Sequence, residues 1–231
     1  MSEMRVVLIT GAGGALGHAV AAAFHGDARL VLTDRHQDRL EAAYGTWPET
    51  QLVTADLGDA ASLDRLCSGA VERFGRIDVL VNVAGGFRGG KTVAEAPVDE
   101  IDVLVAMNTR SVWNACRAVL PAMLRQGSGK IVTIASLNAL AGGAHVAAYS
   151  ASKAAALRLC EGLSAEVRAQ GINVNCVLPG TMDTPANRAA MPDADPQRWV
   201  DPRAVADVVR FLASDAARAV HGVALPVVGL T

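Results

Sequence analysis

The chain has 231 residues, 51% of them apolar but only 4% aromatic, with 21 basic and 23 acidic side chains giving a net charge of −2. A chain of this length buries roughly 70–75% of the surface it exposes when unfolded, and an Ala-, Val- and Leu-rich core suits close helix-on-sheet packing better than an all-β sandwich. The balanced charge excludes a basic footprint for nucleic acid or an anionic membrane; with neither a leader pattern nor an apolar run of about 18 residues, a soluble, cytoplasmic protein is expected.

Residues 4–10 form a short continuous apolar run, the pattern of a strand buried on both faces. Gly11-Ala12-Gly13-Gly14-Ala15-Leu16-Gly17 follows at once, and then an Ala-rich helical stretch over 18–24. Strand, glycine-rich turn and helix in this order open a dinucleotide-binding βαβ unit. The glycines let the backbone turn tightly against a pyrophosphate, and the helix N-terminus offers it free N–H groups. Residues 29–34 read as the second strand, ending in Asp34, 23 residues after Gly11. A carboxylate there accepts from ribose hydroxyls and repels a 2′-phosphate, which favours NAD over NADP; Arg35 acts against this, and Asp34 has the alternative role of capping the next helix, 36–43.

The third strand, 51–55, ends at Asp56-Leu57. Asp56 suits either the adenine amine or the cap of a helix over 60–74. Residues 77–83 form the fourth strand and run into a flexible, glycine-rich loop, 84–90, at the carboxyl end of the sheet. A long helical pattern spans 98–125, with Asn108 in its middle, an unfavourable place for asparagine unless its side chain has a partner. Residues 130–135 form the fifth strand and deliver Ser136. After a loop over 137–148 comes a helix reaching Gln170, stopped by Gly171. The sixth strand, 172–178, ends in Pro179-Gly180. Residues 181–201 show no strong period and are expected to be a mobile lid or substrate loop. A helix over 202–214 and a last strand over 223–228 close the chain, and Pro226 assigns that strand to an edge. Cys67, Cys116, Cys160 and Cys176 lack any CxxC spacing and read as core residues in a reducing compartment, not as disulfides or metal ligands. The βα alternation dictates a parallel sheet with helices on both faces.

Tyr149 and Lys153 lie four apart in an Ala-rich run, on the same helix face one turn apart. A phenol with its ordinary pKa of about 10 is a poor acid/base near neutrality, and an adjacent ammonium is expected to lower it. Ser136, thirteen residues upstream of Tyr149, is placed to hold a substrate oxygen beside that phenol. An isolated pair of this kind is more often an ordinary helix face. Here it stands in register with Thr10-Gly-Ala-Gly-Gly-Ala-Leu-Gly17, Asp56-Leu57, Asn82-Val-Ala-Gly85, Asn108, Ser136 and Pro179-Gly180.

That series resembles the short-chain dehydrogenase/reductase family over essentially the whole chain, in particular its 3-oxoacyl-ACP-reductase-like subgroup. Two positions depart from the family pattern: Ala15 replaces the second glycine of the turn, and Val83 the second asparagine of the NNAG motif. The resemblance implies a single Rossmann domain over 1–231, a doubly wound parallel seven-stranded sheet. It implies an NAD-dependent oxidoreductase of a secondary alcohol or ketone on a small to medium molecule. Tyr149 would be the acid/base, Lys153 would lower its pKa and bind the nicotinamide ribose, and Ser136 would bind the substrate oxygen. Asn108 would kink its helix and hold a proton-relaying water. Cofactor contacts would come from Gly11, Gly13, Gly14, Ala15, Leu16, Gly17, Asp34, Arg35, Asp56, Leu57, Asn82, Ala84, Gly85, Tyr149, Lys153, Pro179, Gly180 and Thr184, the last with helix capping as its alternative. Phe87, Arg88, Asn138, His145, Met182 and Trp199 fall on loops over the site. A homotetramer or homodimer is expected by the same resemblance. The competing function is a nucleotide-binding regulatory or scaffold protein of the same fold without turnover, which has no need of the intact Asn108, Ser136, Tyr149 and Lys153 set.

Overall fold

Continuous apolar runs become strands here because both faces of the sheet are covered. The structure, a computed structural model, describes residues 4–230. Within them β1 (Arg5–Thr10), β2 (Ala28–Asp34), β3 (Thr50–Thr54), β4 (Val79–Asn82), β5 (Gly129–Ile134), β6 (Ile172–Pro179) and β7 (Ala224–Val227) form one seven-stranded sheet in the order β3-β2-β1-β4-β5-β6-β7. Every pairing is parallel. β7 pairs only with β6, so Pro226 sits on an edge strand as its missing N–H requires.

The helices are α1 (Ala15–Phe24), α2 (Gln37–Tyr44), α3 (Ala60–Phe74), α4 (Glu100–Val105), α5 (Ser111–Gln126), α6 (Ala147–Val167), α7 (Pro185–Ala190) and α8 (Pro202–Leu212). Successive strand residues point to opposite faces. Val6 and Leu8 pack with Leu66 of α3, Val119 of α5 and Leu157 of α6, while Val7 and Ile9 pack with Val20 of α1, Leu40 of α2 and Val209 of α8. Two separate apolar layers result, one on each side of the sheet. No helix among the described residues is long and apolar enough to cross a membrane.

Local chemistry sets most boundaries. Asp59 caps α3 by accepting from the Ala61 and Ser62 amides at 3.0 and 3.1 Å, and Gly75, with φ 81°, ends it. Asp201 caps α8 ahead of Pro202, whose missing N–H costs nothing at that position. Three expectations are corrected. The fourth strand is shorter than 77–83, because the Ile77 amide donates to Gln126 Oε1 at 3.0 Å. The pattern over 98–125 is α4 and α5 joined by a π turn, Ala106–Arg110, that contains Asn108. The segment 181–201 contains α7 and a 3-10 turn, Pro196–Arg198, and a Met182–Val200 bridge closes its base.

The strand order reverses between β1 and β4, whose carboxyl ends meet where Thr10 pairs with Asn82. That reversal opens the crevice in which ligands bind in such sheets.

Candidate active site

The glycine turn leads from β1 into this crevice. Gly11 has φ +68°, and a Cβ on it would lie 2.7 Å from Ala84 Cα; a Cβ on Gly17 would lie 2.2 Å from the Gly11 carbonyl oxygen. No other residue fits either place, so α1 starts as close to β1 as backbone allows. Gly14, the N-cap, has no side-chain acceptor, and the first-turn amides of Ala15, Leu16 and Gly17 are left for a ligand. The Ala15 methyl is exposed and obstructs nothing, whereas Leu16 is buried and has only its backbone to offer. These first-turn amides, beside the exposed Gly14, fit a dinucleotide's pyrophosphate.

Asp34 does not cap α2; His36 occupies the cap position without a side-chain bond. Asp34 instead braces the turn, its Oδ2 accepting from the Gly13 amide at 3.1 Å and its Oδ1 from His36 N at 3.3 Å. Arg35 is exposed beside it. Asp56 is not the cap of α3 either: its Oδ1 accepts from Gly58 N at 2.8 Å, and Asn114 Nδ2 fixes the same bend by donating to the Leu57 carbonyl at 2.9 Å. Asn82 is buried and donates through Nδ2 to Thr133 Oγ1 at 3.2 Å, tying β4 to β5. Thr10 Oγ1 accepts from Ala84 N at 3.3 Å, tying β1 to the loop after β4. Pro179 ends β6, and the Gly180 amide donates to Val227 O at 2.9 Å. Thr184 caps α7, accepting from Asn187 N at 3.2 Å, so its capping alternative is realised and its hydroxyl proton is still available to donate.

The second half of the site hangs on the π turn. Such a turn widens the helix and redirects side chains at the widening. Asn108, fully buried, accepts from Gly86 N at 2.9 Å through Oδ1 and donates through Nδ2 to Gly86 O and to Ser152 Oγ, both at 3.0 Å. Thr109 Oγ1, from the same turn, donates to the Ser152 carbonyl at 2.8 Å. A Cβ on Gly85 would lie 2.8 Å from Asn108 Oδ1 and 3.3 Å from Lys153 Nζ, so both side chains close around that glycine.

Lys153 is buried and donates from Nζ to Ile134 O at 3.0 Å; burial pulls its pKa down to about 8 from an ordinary 10.5, with the Cys176 thiol acting weakly the other way. Burial pushes the Tyr149 phenol upward, and a hydrogen bond with Ser136 pulls it partly back. Ser136 and Tyr149 come together as expected, the net direction for the phenol is set by desolvation, and Lys153 Nζ is directed at the end of β5. Of the loop residues, Phe87 lies edge-on to Tyr149 with ring centroids 4.9 Å apart. The Asn138 amide donates to Ser136 Oγ at 3.2 Å, and Met182 O accepts from Asn187 Nδ2 at 2.8 Å. His145 is exposed with φ +62°, Arg88 is exposed, and Trp199 is half-buried.

The family model for short chain dehydrogenases matches residues 5–195. The chain belongs to the short-chain dehydrogenase/reductase family. Its sequence is 36% identical over 240 aligned positions, 96% of each chain, to 2-(R)-hydroxypropyl-CoM dehydrogenase of Xanthobacter autotrophicus. It is 33% identical to levodione reductase of Leifsonia aquatica, over 97% of this chain and 93% of that one. Among solved structures, a variant of actinorhodin polyketide ketoreductase with NADPH superposes with a TM-score of 0.91 at 31% identity, covering 99% and 97% of the two chains. The dehydrogenase/reductase role therefore extends to this chain as a class.

Within this family member, sequence reading passed over several residues that hold the site in shape. Tyr44 is fully buried and donates to the Ala12 carbonyl at 2.6 Å, fixing the glycine turn from below, and burial raises its phenol well above the ordinary value. Ser152 receives the Asn108 bond and donates to Tyr149 O at 2.8 Å. An aromatic residue at the end of an amphipathic helix and a serine inside the Tyr-Lys motif gave the only signals, and neither is specific.

Proposed function

We propose that this chain, as one dinucleotide-binding domain, moves a hydride between a nicotinamide dinucleotide and a secondary alcohol or ketone, with Tyr149 as the general acid/base. The observation that carries this reading is that Ser136, just past the carboxyl end of β5, lies near enough to the Tyr149 phenol to bias its proton, with buried Lys153 one helical turn behind it. The bound cofactor supplies or accepts the hydride. Ser136 holds the substrate oxygen as charge develops on it, and Tyr149 donates the proton in reduction and takes it in oxidation. A lysine titrating at about 8 is mostly protonated at neutral pH, so its positive charge stands behind the phenol when the phenolate forms. Asn108 braces Gly86 and Ser152. Both its Nδ2 hydrogens are committed there, so the relay water implied by the resemblance would meet an acceptor of this turn.

The glycine turn, Asp34, Asp56, Asn82, Ala84, Gly85, Pro179, Gly180 and Thr184 are the proposed cofactor contacts. NAD is the preferred cofactor in this reading, because the Asp34 carboxylate sits against Gly13, where a 2′-phosphate would meet like charge. NADP is the second reading. The Cβ of Arg39 lies 3.4 Å from where a Gly13 Cβ would be, and with Arg35 it offers a cation pair to a phosphate. The four cysteines are free and buried, as in a reducing cytoplasm. Exposed Trp113 on α5 and Ile101 on α4 are the faces through which a dimer or tetramer would form. The 3-oxoacyl-ACP-reductase-like assignment is part of the same proposal.

The test is Tyr149→Phe, which removes the proton and little else. Turnover of a secondary-alcohol panel should fall by about 10²–10⁴-fold, while cofactor binding, followed by fluorescence, stays within a few fold. Unchanged turnover would rule out the acid/base role. Cofactor binding without turnover of any panel member by the wild type would favour the regulatory alternative.

A further inference from the structure

The loop after β4 is anchored at two points with a large aromatic side chain between them. Asn108 holds Gly86 from both sides, through its N–H at 2.9 Å and its carbonyl at 3.0 Å. Four residues on, the Gly90 amide donates to His145 O at 2.8 Å, locking this loop to the one that leads into α6. Phe87 stands between the anchors. Its ring meets the Tyr149 ring at 74° with centroids 4.9 Å apart, and 64% of the residue is open to solvent. A Cβ on Gly89 would lie 2.9 Å from both Phe87 Cζ and Val146 Cγ1, so the backbone there is pressed between those two side chains. Val146, the N-cap of α6, lies three residues before Tyr149 and thus on the same side of the helix start.

Phe87, Val146 and the Tyr149 ring therefore make an apolar corner directly beside the phenol and Ser136. Solvent-exposed apolar rings are ordinary singly, but a backbone pinned on both sides of one implies a surface built for contact. A substrate whose oxygen lies at Ser136 and Tyr149 must extend its neighbouring carbons along this corner. A flat or alicyclic ring next to the carbonyl covers Phe87 and gains its contact. A short chain leaves it bare, and a polyol sets hydroxyls against a wall with no side-chain partner for them.

We propose that Phe87 is a specificity-determining residue, selecting ketones and secondary alcohols that carry an apolar ring beside the reacting carbon. The proposal rests on the reading of Tyr149 as the reacting site. Two secondary alcohols of one functional class, 1-phenylethanol and butan-2-ol, are compared with the cofactor that supports turnover, in wild type, Phe87→Ala and Phe87→Leu. The wild type should prefer 1-phenylethanol by about tenfold or more in kcat/KM, the equivalent of one aromatic contact, and Phe87→Ala should abolish most of that preference. Phe87→Leu, which keeps an apolar side chain, should retain part of it. Acetophenone binding to the cofactor-loaded protein, followed by ligand-observed NMR, gives a readout independent of turnover and should weaken in step with the preference, less in Phe87→Leu than in Phe87→Ala. A preference that is absent in the wild type, or equal in wild type and Phe87→Ala with equal acetophenone affinity, overturns the proposal while Tyr149 keeps its role. Acetophenone binding that depends on Phe87, in a protein that oxidises neither alcohol, leaves the ring contact at Phe87 standing but overturns the reading of Tyr149, and the substrate-selection proposal falls with it.

Discussion

Asn108→Ala tests whether the π turn is a brace for the site or an accident of the helix. The side chain makes three hydrogen bonds, two to Gly86 and one to Ser152, and is fully buried. At about 0.5–1.5 kcal/mol net per bond, their loss costs about 3 kcal/mol, before any penalty for the buried groups left unpaired. For a chain of this size that lowers Tm by about 6–12 °C. Thr109→Val is the matched control, since it removes from the same turn the single bond to the Ser152 carbonyl and should cost about 1 kcal/mol, or about 2–4 °C. Calorimetry of the two variants gives the comparison, and kinetics add a second. Freeing Gly86 releases one anchor of the loop carrying Phe87, so KM should rise in Asn108→Ala more than in Thr109→Val. If Asn108→Ala melts no lower than Thr109→Val, the bonds to Gly86 contribute nothing and the bracing argument fails.

The depressed Lys153 gives a pH dependence with a definite sign. The unfolded lysine holds its proton up to about 10.5 and the folded one only to about 8, so the unfolded state binds more protons between these values and stability rises with pH across that window. Tyr44 and Tyr149, raised by burial, act in the opposite sense above pH 10, as do the raised Cys67 and Cys116 thiols from about pH 9. The difference between wild type and Lys153→Met isolates the lysine; urea midpoints that run parallel from pH 7 to 10 would show that the ammonium is not desolvated. Asp34 sets the cofactor prediction: fluorescence titration should find NADH bound more tightly than NADPH, and Asp34→Ala should narrow the gap. An initial preference for NADPH would assign the site to Arg35 and Arg39 instead.

The sheet was legible because each strand is buried on both faces, which writes an apolar run bounded by glycine, proline or an acid into the chain. The glycine turn was legible for a similar reason: Gly11 and Gly17 stand where any Cβ would strike backbone. The π turn was not, because the hydrophobic period of α4 and α5 runs through it almost unbroken, and only the misplaced Asn108 hinted at an interruption. Tyr44 was hidden by distance, its acceptor lying thirty-two residues earlier in the chain. The stretch 181–201 concealed α7 because that helix buries none of its residues and so carries no apolar stripe. The end point of the Lys153 side chain was not legible from spacing alone. Four residues along a helix fix a shared face but not where a flexible ammonium ends, and here it ends on Ile134 O.

That last contact shows how the site is held together. Ile134 ends β5 two residues before Ser136, so Lys153 ties α6, which carries Tyr149, to the strand that delivers its hydrogen-bonding partner. Thr10 joins β1 to Ala84, Asn82 joins β4 to Thr133 of β5, and Asn108 joins the π turn to Gly86 and Ser152. Each link is a side chain whose identity is fixed by the bond it makes, and together they fasten neighbouring strand ends into one rigid floor. The substrate side is built differently. The loops over the floor are closed largely by backbone bonds, Gly90 to His145, Val200 to Thr181 and Asp183 to Val200, which depend on main-chain shape more than on side-chain chemistry. Sequence therefore announces the chemistry, which depends on particular side chains, and is nearly silent about the substrate, whose loops take their shape from the main chain. Phe87 is the exception, a side chain held between anchored glycines against the Tyr149 ring, and for that reason the proposed substrate selection is placed on it.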